Sequence, residues 1–242
     1  MIPKTIHYCW FGGNKMPKEL KKYIQTWIKK CPDYKIICWD ESNFDINCNS
    51  FVKTAYKNKL WAFVSDYARL KVIYENGGVY LDTDVELIKN LDFLLKYNFF
   101  AGVQQTLENQ KSYVATGLGF GAEQKNEIIR DLLNDYDQIL NVDLDKKENY
   151  ACPILNDHVF KKYGFNGKDE TQNLQNNAKI FSSKYFDPLS KNNFLCENTV
   201  SVHHYSGSWM DKSTIIRRRI YNSIGLKKIN KIKQIKNKII HK

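Results

Sequence analysis

Apolar and polar positions along the first eighty residues switch between a strand period and a helix period. Residues 5–11, Thr-Ile-His-Tyr-Cys-Trp-Phe, form a short apolar run closed by Gly12-Gly13, the pattern of a buried strand. In residues 17–30, Leu20, Tyr23, Ile24 and Trp27 fall on one helical face. Residues 34–39 read as a second strand. A strand–helix–strand start predicts a parallel pair joined by a right-handed crossover. Residues 60–76 carry Phe63, Tyr67, Leu70 and Tyr74 at helical spacing, and Gly77 is placed to end that helix in a left-handed turn. Val79-Tyr80-Leu81 follows as a strand.

Further along, residues 99–103, 118–120, 179–181 and 200–205 predict strands, and residues 128–140 and 153–163 predict helices. The Asn- and Lys-rich stretch 167–177 reads as an exposed loop. No internal repeat is visible. The expected class is α/β, with helices flanking the sheet.

Composition narrows the picture. The 242 residues are 43% apolar and 14% aromatic, which suits one large packed α/β domain and excludes a disordered chain. No run approaches 18 uncharged apolar residues, and the first residues lack the apolar core of an export signal, so a cytoplasmic protein is expected. The six cysteines form no C-x-x-C pair and read as reduced residues rather than a zinc site. Of 37 Lys and Arg, eleven lie in residues 212–242, which hold no acid, so the other 211 residues have 26 basic and 26 acidic side chains. The basicity belongs to the tail.

Chemistry concentrates at Asp82-Thr83-Asp84, which the helix, the glycine break and the strand deliver to a strand's C-terminal end, where ligands bind in α/β sheets. Two carboxylates there repel unless a cation joins them. A hard divalent metal carrying a phosphorylated substrate resolves that repulsion. The bare D-x-D pattern arises about once by chance in a chain of this length, so its context carries the weight. Asp66 and Arg69 lie three apart on the preceding helix, among Phe63, Val64, Tyr67, Ala68 and Leu70. A charged pair on a helix is usually a surface salt bridge. The alternative suggested by these apolar neighbours is an inward-facing pair, which can grip sugar hydroxyls and a phosphate because the guanidinium is a fixed fork of donors. Near the far end, His203-His204-Tyr205-Ser206-Gly207-Ser208-Trp209 closes a strand with two imidazoles. One of them can complete a metal shell with Asp82 and Asp84, and oxygens plus one nitrogen suit Mn²⁺, then Mg²⁺.

Four ordered blocks, I-P-K-T-I-H-Y-C-W-F-G-G at 2–13, S-D-Y-A-R-L at 65–70, G-G-V-Y-L-D-T-D at 77–84 and H-H-Y-S-G-S-W at 203–209, resemble glycosyltransferase family 32. More distantly they are similar to the catalytic domain of the large glucosylating toxins. The resemblance spans roughly residues 2 to 210. It implies a GT-A fold over residues 1–211, a nucleotide-sugar donor, a divalent metal and retention at the anomeric carbon. It also implies roles. Trp10 would stack on the base, Asp66 and Arg69 would hold the donor sugar, and Tyr80 would line the donor pocket. Asp82 and Asp84 would bind ribose and metal, Asp84 more directly. The related family 8 has a metal-binding H-x-x-G pattern, which His204 and Gly207 fit, so His204 is the expected third ligand. That pattern continues with a lysine where this chain has Met210, which leaves Lys212 for the pyrophosphate. Ser206, Ser208 and Trp209 would sit near the diphosphate. Asn156 and Asp157 are candidates for the reaction face, with a helix-cap role as the alternative. UDP-sugar is preferred over GDP-mannose as donor, and a glycan or lipid-linked glycan is the expected acceptor.

Ile229, Ile232, Ile235 and Ile239 share a side of the tail, residues 212–242, among lysines and arginines. A helix of that pattern fits an anionic inner-membrane surface. Nucleic acid is not expected as a partner, because the rest of the chain is neutral and few aromatics accompany the tail's charges. Two rival readings are a non-catalytic, metal-dependent carbohydrate-binding protein and a phosphohydrolase of the haloacid dehalogenase type. The latter wants Gly-Thr after its aspartates, and here Val85-Glu86 follows.

Overall fold

The computed structural model describes residues 1–105, 111–140, 142–189 and 195–206. The tail 212–242 and Gly207, Ser208, Trp209 and Lys212 lie outside them.

In chain order the elements are β1 (Thr5–Cys9), α1 (Lys18–Lys30), β2 (Lys35–Trp39), α2 (Ser50–Lys57), α3 (Trp61–Asn76), β3 (Gly78–Tyr80), β4 (Val85–Leu87), β5 (Phe99–Gln105), β6 (Ser112–Ala122), α4 (Glu127–Asp137), α5 (Cys152–Leu155), α6 (Asp157–Lys162), β7 (Gln172–Leu174), β8 (Ala178–Phe181), α7 (Ser183–Phe186) and β9 (Ser201–His203). Among the described residues the main sheet runs β2-β1-β3-β6-β5-β8-β7, and β4 pairs with β9 in a separate ribbon. β1 is parallel to both β2 and β3, whereas β6 runs antiparallel to β3 and to β5. The sheet is therefore mixed, where the strand–helix–strand start alone suggested a parallel one.

The chain steps from β1 to β2 on one side, then returns through α2 and α3 to lay β3 on the other side of β1. That reversal opens a crevice beyond the C-terminal ends of β1 and β3, the place where open α/β sheets bind ligands. Trp10 leaves β1 there, and Asp82 follows β3.

The helix over residues 61–76 is buried nearly all round, including Val64, Asp66, Tyr67, Ala68, Arg69, Leu70, Val72 and Ile73. Its two charges are therefore inside the protein. α1 is pinned to the ribbon instead: Trp27 Nε1 donates to the Val85 carbonyl at 2.7 Å, and the Leu87 amide donates to Thr26 Oγ1 at 2.9 Å.

β3 is fixed by the sequence around His7. Trp39 Nε1 donates to His7 Nδ1 at 3.0 Å, so the imidazole's proton sits on Nε2, which donates to the Gly77 carbonyl at 3.1 Å. A Cβ on Gly78, whose φ is +111°, would stand 2.8 Å from the Thr5 carbonyl oxygen and 2.9 Å from His7 Nε2, so only glycine fits. Burial holds the His7 imidazole down to about 4. The unfolded chain, with an ordinary imidazole near 6.5, takes up a proton that the native chain refuses. Stability from His7 is therefore full above about pH 6.5 and falls as pH drops toward 4, by up to ~3 kcal/mol. Urea unfolding between pH 7 and pH 4 is expected to show this loss in the native sequence and to lack it in His7→Asn.

The structure departs from the pattern in several places. α2 was not signalled by periodicity and is capped by Asn49, whose side chain accepts from the Val52 amide. The single helix expected over 153–163 breaks at Asn156 into α5 and α6. β6 is much longer than the expected 118–120. The exposed stretch 167–177 contains the edge strand β7. The last strand ends at His203, because Tyr205 turns to a left-handed φ of 47°. Among the described residues no helix is long and apolar enough to cross a membrane.

Candidate functional site

β3 ends at Tyr80, and the chain carries Asp82 and Asp84 through a short turn, with the Val85 amide donating to the Asp82 carbonyl at 3.0 Å, before entering β4. β9 then brings its imidazole back against that turn, because Val85 is paired with His203 across the antiparallel ribbon. One ligand atom each from Asp82, Asp84 and His203 lies within 4.8 Å of the others. His203 Nε2 is 3.3 Å from Asp84 Oδ1 and 3.7 Å from Asp82 Oδ2, while the Tyr205 amide donates to Nδ1 at 3.2 Å.

Here the sequence expectation is corrected. Successive side chains of a strand point to opposite faces, so only one of two adjacent histidines can meet the carboxylates. His203 does. His204 turns away, with Nε2 2.9 Å from Glu86 Oε2 and its ring stacked on Tyr23 at 4.4 Å between centroids. The His204 backbone amide still donates to the Asp84 carbonyl at 3.0 Å. Ser206 closes on the same aspartate, its amide and hydroxyl donating to Asp84 Oδ2 at 2.8 and 2.9 Å.

Arg69 reaches the turn from α3. Its Nη2 lies 3.0 Å from Asp66 Oδ1 and 3.1 Å from Asp82 Oδ1, and the guanidinium rests over the Tyr80 ring at 5.1 Å. Tyr80 is 1% exposed. It is a buried support beneath Arg69 and lines no open pocket, which corrects the role the resemblance implied.

The charges divide unequally. Burial raises the Asp66 carboxyl to about 6, against the pull of Arg69 and with a further push from Asp82. Burial also opposes ionisation of Asp82, but Arg69 and then His203 outweigh it and hold that carboxyl below the usual range. For His203, burial disfavours the cation, yet Asp84, Asp82 and Asp187 together raise the imidazole above its ordinary value. Two aspartates and a nitrogen converging on one spot fit a cation: the donor set is hard oxygen plus one imidazole, suited to Mn²⁺ or Mg²⁺.

The other expected residues scatter. Trp10 is held at the end of β1 by an Nε1 bond to the Asn14 carbonyl at 2.6 Å. Asn156 is buried at the joint of α5 and α6. Asp157 is engaged by Lys161 at 2.5 Å, one turn along α6. Neither is brought into contact with the Asp82–Asp84–His203 group among the described contacts.

Periodicity missed the support from β6. The ladder between β5 and β6 slips between Ala101 and Gly102, whose partners are Phe120 and Ala115, so residues 116–119 leave the pairing. A bulge of this kind re-aims a strand next to a site. It puts Gly117 where an added Cβ would stand 2.9 Å from Asp82 Oδ2 and 3.1 Å from an Arg69 nitrogen. Glycines inside a strand pattern, as in Thr116-Gly117-Leu118-Gly119, are the signal for such close approach. Cys152, at the start of α5, lies 3.9 Å from Arg69 Nη1 and 3.7 Å from the Thr116 hydroxyl oxygen.

The chain is similar to known glycosyltransferases. Residues 17–101 match the family described as glycosyltransferase sugar-binding region containing DXD motif. An uncharacterised glycosyltransferase of Acanthamoeba polyphaga mimivirus is 26% identical over 224 residues, covering 86% of this chain and 84% of that protein. Inositol phosphoceramide mannosyltransferase 3 of Schizosaccharomyces pombe is 30% identical over 139 residues, 54% of this chain but 37% of its own length. Among solved structures, PaToxG glycosyltransferase superposes with a TM-score of 0.55 at 18% identity, over 66% of this chain and 69% of that one. The expected GT-A fold is the one observed.

Proposed function

We propose that this chain, which belongs among the glycosyltransferases carrying the DXD sugar-binding region, moves a hexosyl or N-acetylhexosaminyl unit from a nucleotide sugar to a glycan or lipid-linked glycan, with retention at the anomeric carbon. The observation that carries the reading is the convergence of Asp82, Asp84 and His203 beside the Arg69 guanidinium. UDP-sugar is the preferred donor over GDP-mannose, and assembly of a surface polysaccharide such as capsule or lipopolysaccharide is the setting proposed. The tail, residues 212–242, is proposed to hold the enzyme at the anionic face of an inner membrane.

Each residue has a task in that reaction. Trp10, at the mouth of the crevice, offers an indole face to the base. Arg69 aims its donors at the donor sugar and its first phosphates, with Asp66 and Asp82 fixing the guanidinium so that no reorganisation is needed at the moment of bond breaking. Asp82, Asp84 and His203 would hold Mn²⁺ or Mg²⁺, and what a divalent cation supplies there is neutralisation of the departing diphosphate. Ser206 fixes the Asp84 carboxylate so that its other oxygen faces the site. As the bond between the anomeric carbon and the β-phosphate oxygen breaks, the acceptor hydroxyl bonds to that carbon and gives up its proton, and the departing phosphate oxygen is the base within reach.

The test is release of nucleoside diphosphate from a panel of nucleotide sugars after exhaustive chelation and then with Mn²⁺ or Mg²⁺ restored. Turnover that appears only with the cation is expected. Turnover indifferent to chelation, or none with any nucleotide sugar, overturns the reading. Substitution separates the two histidines. His203→Ala is expected to weaken Mn²⁺ binding by roughly 10- to 100-fold, and His204→Ala by less, measured by calorimetry.

A further inference from the structure

Behind His203 lies a buried carboxylate that the reaction does not use. Asp187, which follows α7, is fully buried. Its Oδ2 accepts the Tyr205 hydroxyl at 2.8 Å, and the same hydroxyl oxygen accepts from Gln104 Nε2 on β5 at 3.1 Å. The Tyr205 ring packs edge-on against the His203 imidazole, 4.3 Å between centroids and 61° between planes.

The backbone of Tyr205 is as informative as its side chain. Its φ of 47° is the left-handed region, where a residue with a Cβ is strained. Strain of that kind persists only where surrounding contacts over-determine it. The consequence of the turn is local. It points the Tyr205 amide at His203 Nδ1 and lets Ser206 direct its amide and hydroxyl at Asp84. One residue thus touches the imidazole by ring and by amide, and feeds the next residue to the carboxylate.

We propose that Asp187 and Tyr205 are positioning residues: the Tyr205–Asp187 bond holds the left-handed turn that sets His203 and Ser206 against the Asp82–Asp84 pair. The inference rests on the proposed cation reading. The bond reaches across from α7, itself tied to β9 through the Val200 amide on the Tyr185 carbonyl at 2.8 Å. Anchorage from a separate element is what keeps a three-residue turn from relaxing when the cation leaves. A tyrosine is needed because it combines an aromatic edge for the imidazole with a hydroxyl long enough to reach Asp187.

The experiment uses the full chain with Mn²⁺ as the probe, titrated without any donor and followed by the electron paramagnetic resonance of the free ion. Tyr205→Phe removes only the hydroxyl, and Asp187→Leu removes the oxygen that accepts it. Each is expected to raise the Mn²⁺ dissociation constant by at least about tenfold at 25 °C, where thermal melting shows the variant folded. The double variant is expected to be no worse than the weaker-binding single, because both substitutions break one link. A purely structural role would lower the melting temperature and leave the dissociation constant alone. Folded Tyr205→Phe with native Mn²⁺ affinity overturns the inference and leaves the cation reading standing. A native chain that binds no Mn²⁺ overturns both. If Asp187→Leu does not fold, Tyr205→Phe decides alone.

Discussion

Asp84→Asn is expected to lower donor turnover by roughly 10³-fold, with the folded chain almost as stable as before. The two halves of that expectation come from different contacts. Asp84 is 9% exposed, and what holds it structurally is donation to oxygen: the Ser206 amide and hydroxyl on Oδ2, and the His204 amide on its backbone carbonyl. Asparagine keeps an oxygen in that place and keeps the backbone. It loses the charge that a cation and a departing diphosphate require. Asp82→Asn is expected to behave differently, because Asp82 is also a partner of Arg69 at 3.1 Å, so stability falls along with turnover. Steady-state release of nucleoside diphosphate at saturating Mn²⁺, set beside thermal melting of the two variants, separates the effects. Asp84→Asn retaining turnover within tenfold of the native chain would remove the cation from the reaction.

Much of this site could be read from the chain because local patterns encode it. Two glycines, a three-residue apolar strand and two aspartates specify where the carboxylates emerge, whatever the rest of the fold does. Asp66 and Arg69 sit among apolar neighbours on α3, and the structure buries both at 8% and 4% exposure. What could not be read was pairing across long separations. The choice of His203 over His204 depends on the register of β9 against β4, which puts His203 opposite Val85. A one-residue slip would have reversed it. The resemblance implied a pocket role for Tyr80, yet strand alternation and β6 bury it. Asp187 and Tyr205 carried no signal, since neither a lone aspartate after a short helix nor a tyrosine after two histidines marks a contact between them. Asn156 ends one short helix and starts another, a break that an apolar pattern running through residues 153–163 conceals.

Arg69→Met is expected to destabilise the protein by about 3–5 kcal/mol at neutral pH and to abolish measurable turnover. Methionine fills most of the same space, so the loss comes from charge rather than from a cavity. A single Nη2 serves Asp66 and Asp82 together, and without it two carboxyls face each other inside the protein with no cation between them. Burial already holds Asp66 up to about 6 even with Arg69 present. Removing the guanidinium removes the strongest pull lowering it, so the Asp66 carboxyl rises further and is neutral over a wider range. The sign follows. A carboxyl raised in the folded state binds a proton that the unfolded chain, near 3.8, has released, so its contribution favours folding at acid pH and is lost as pH rises through the folded value. The deficit of Arg69→Met relative to the native chain is therefore expected to shrink toward pH 5 and to grow above pH 6, in urea unfolding run at both. A deficit independent of pH would mean that packing against Tyr80, rather than the pairing of two buried acids, is what Arg69 contributes to the fold. On the proposed function turnover would still be lost in that case, because the guanidinium proposed to hold the donor is absent in either.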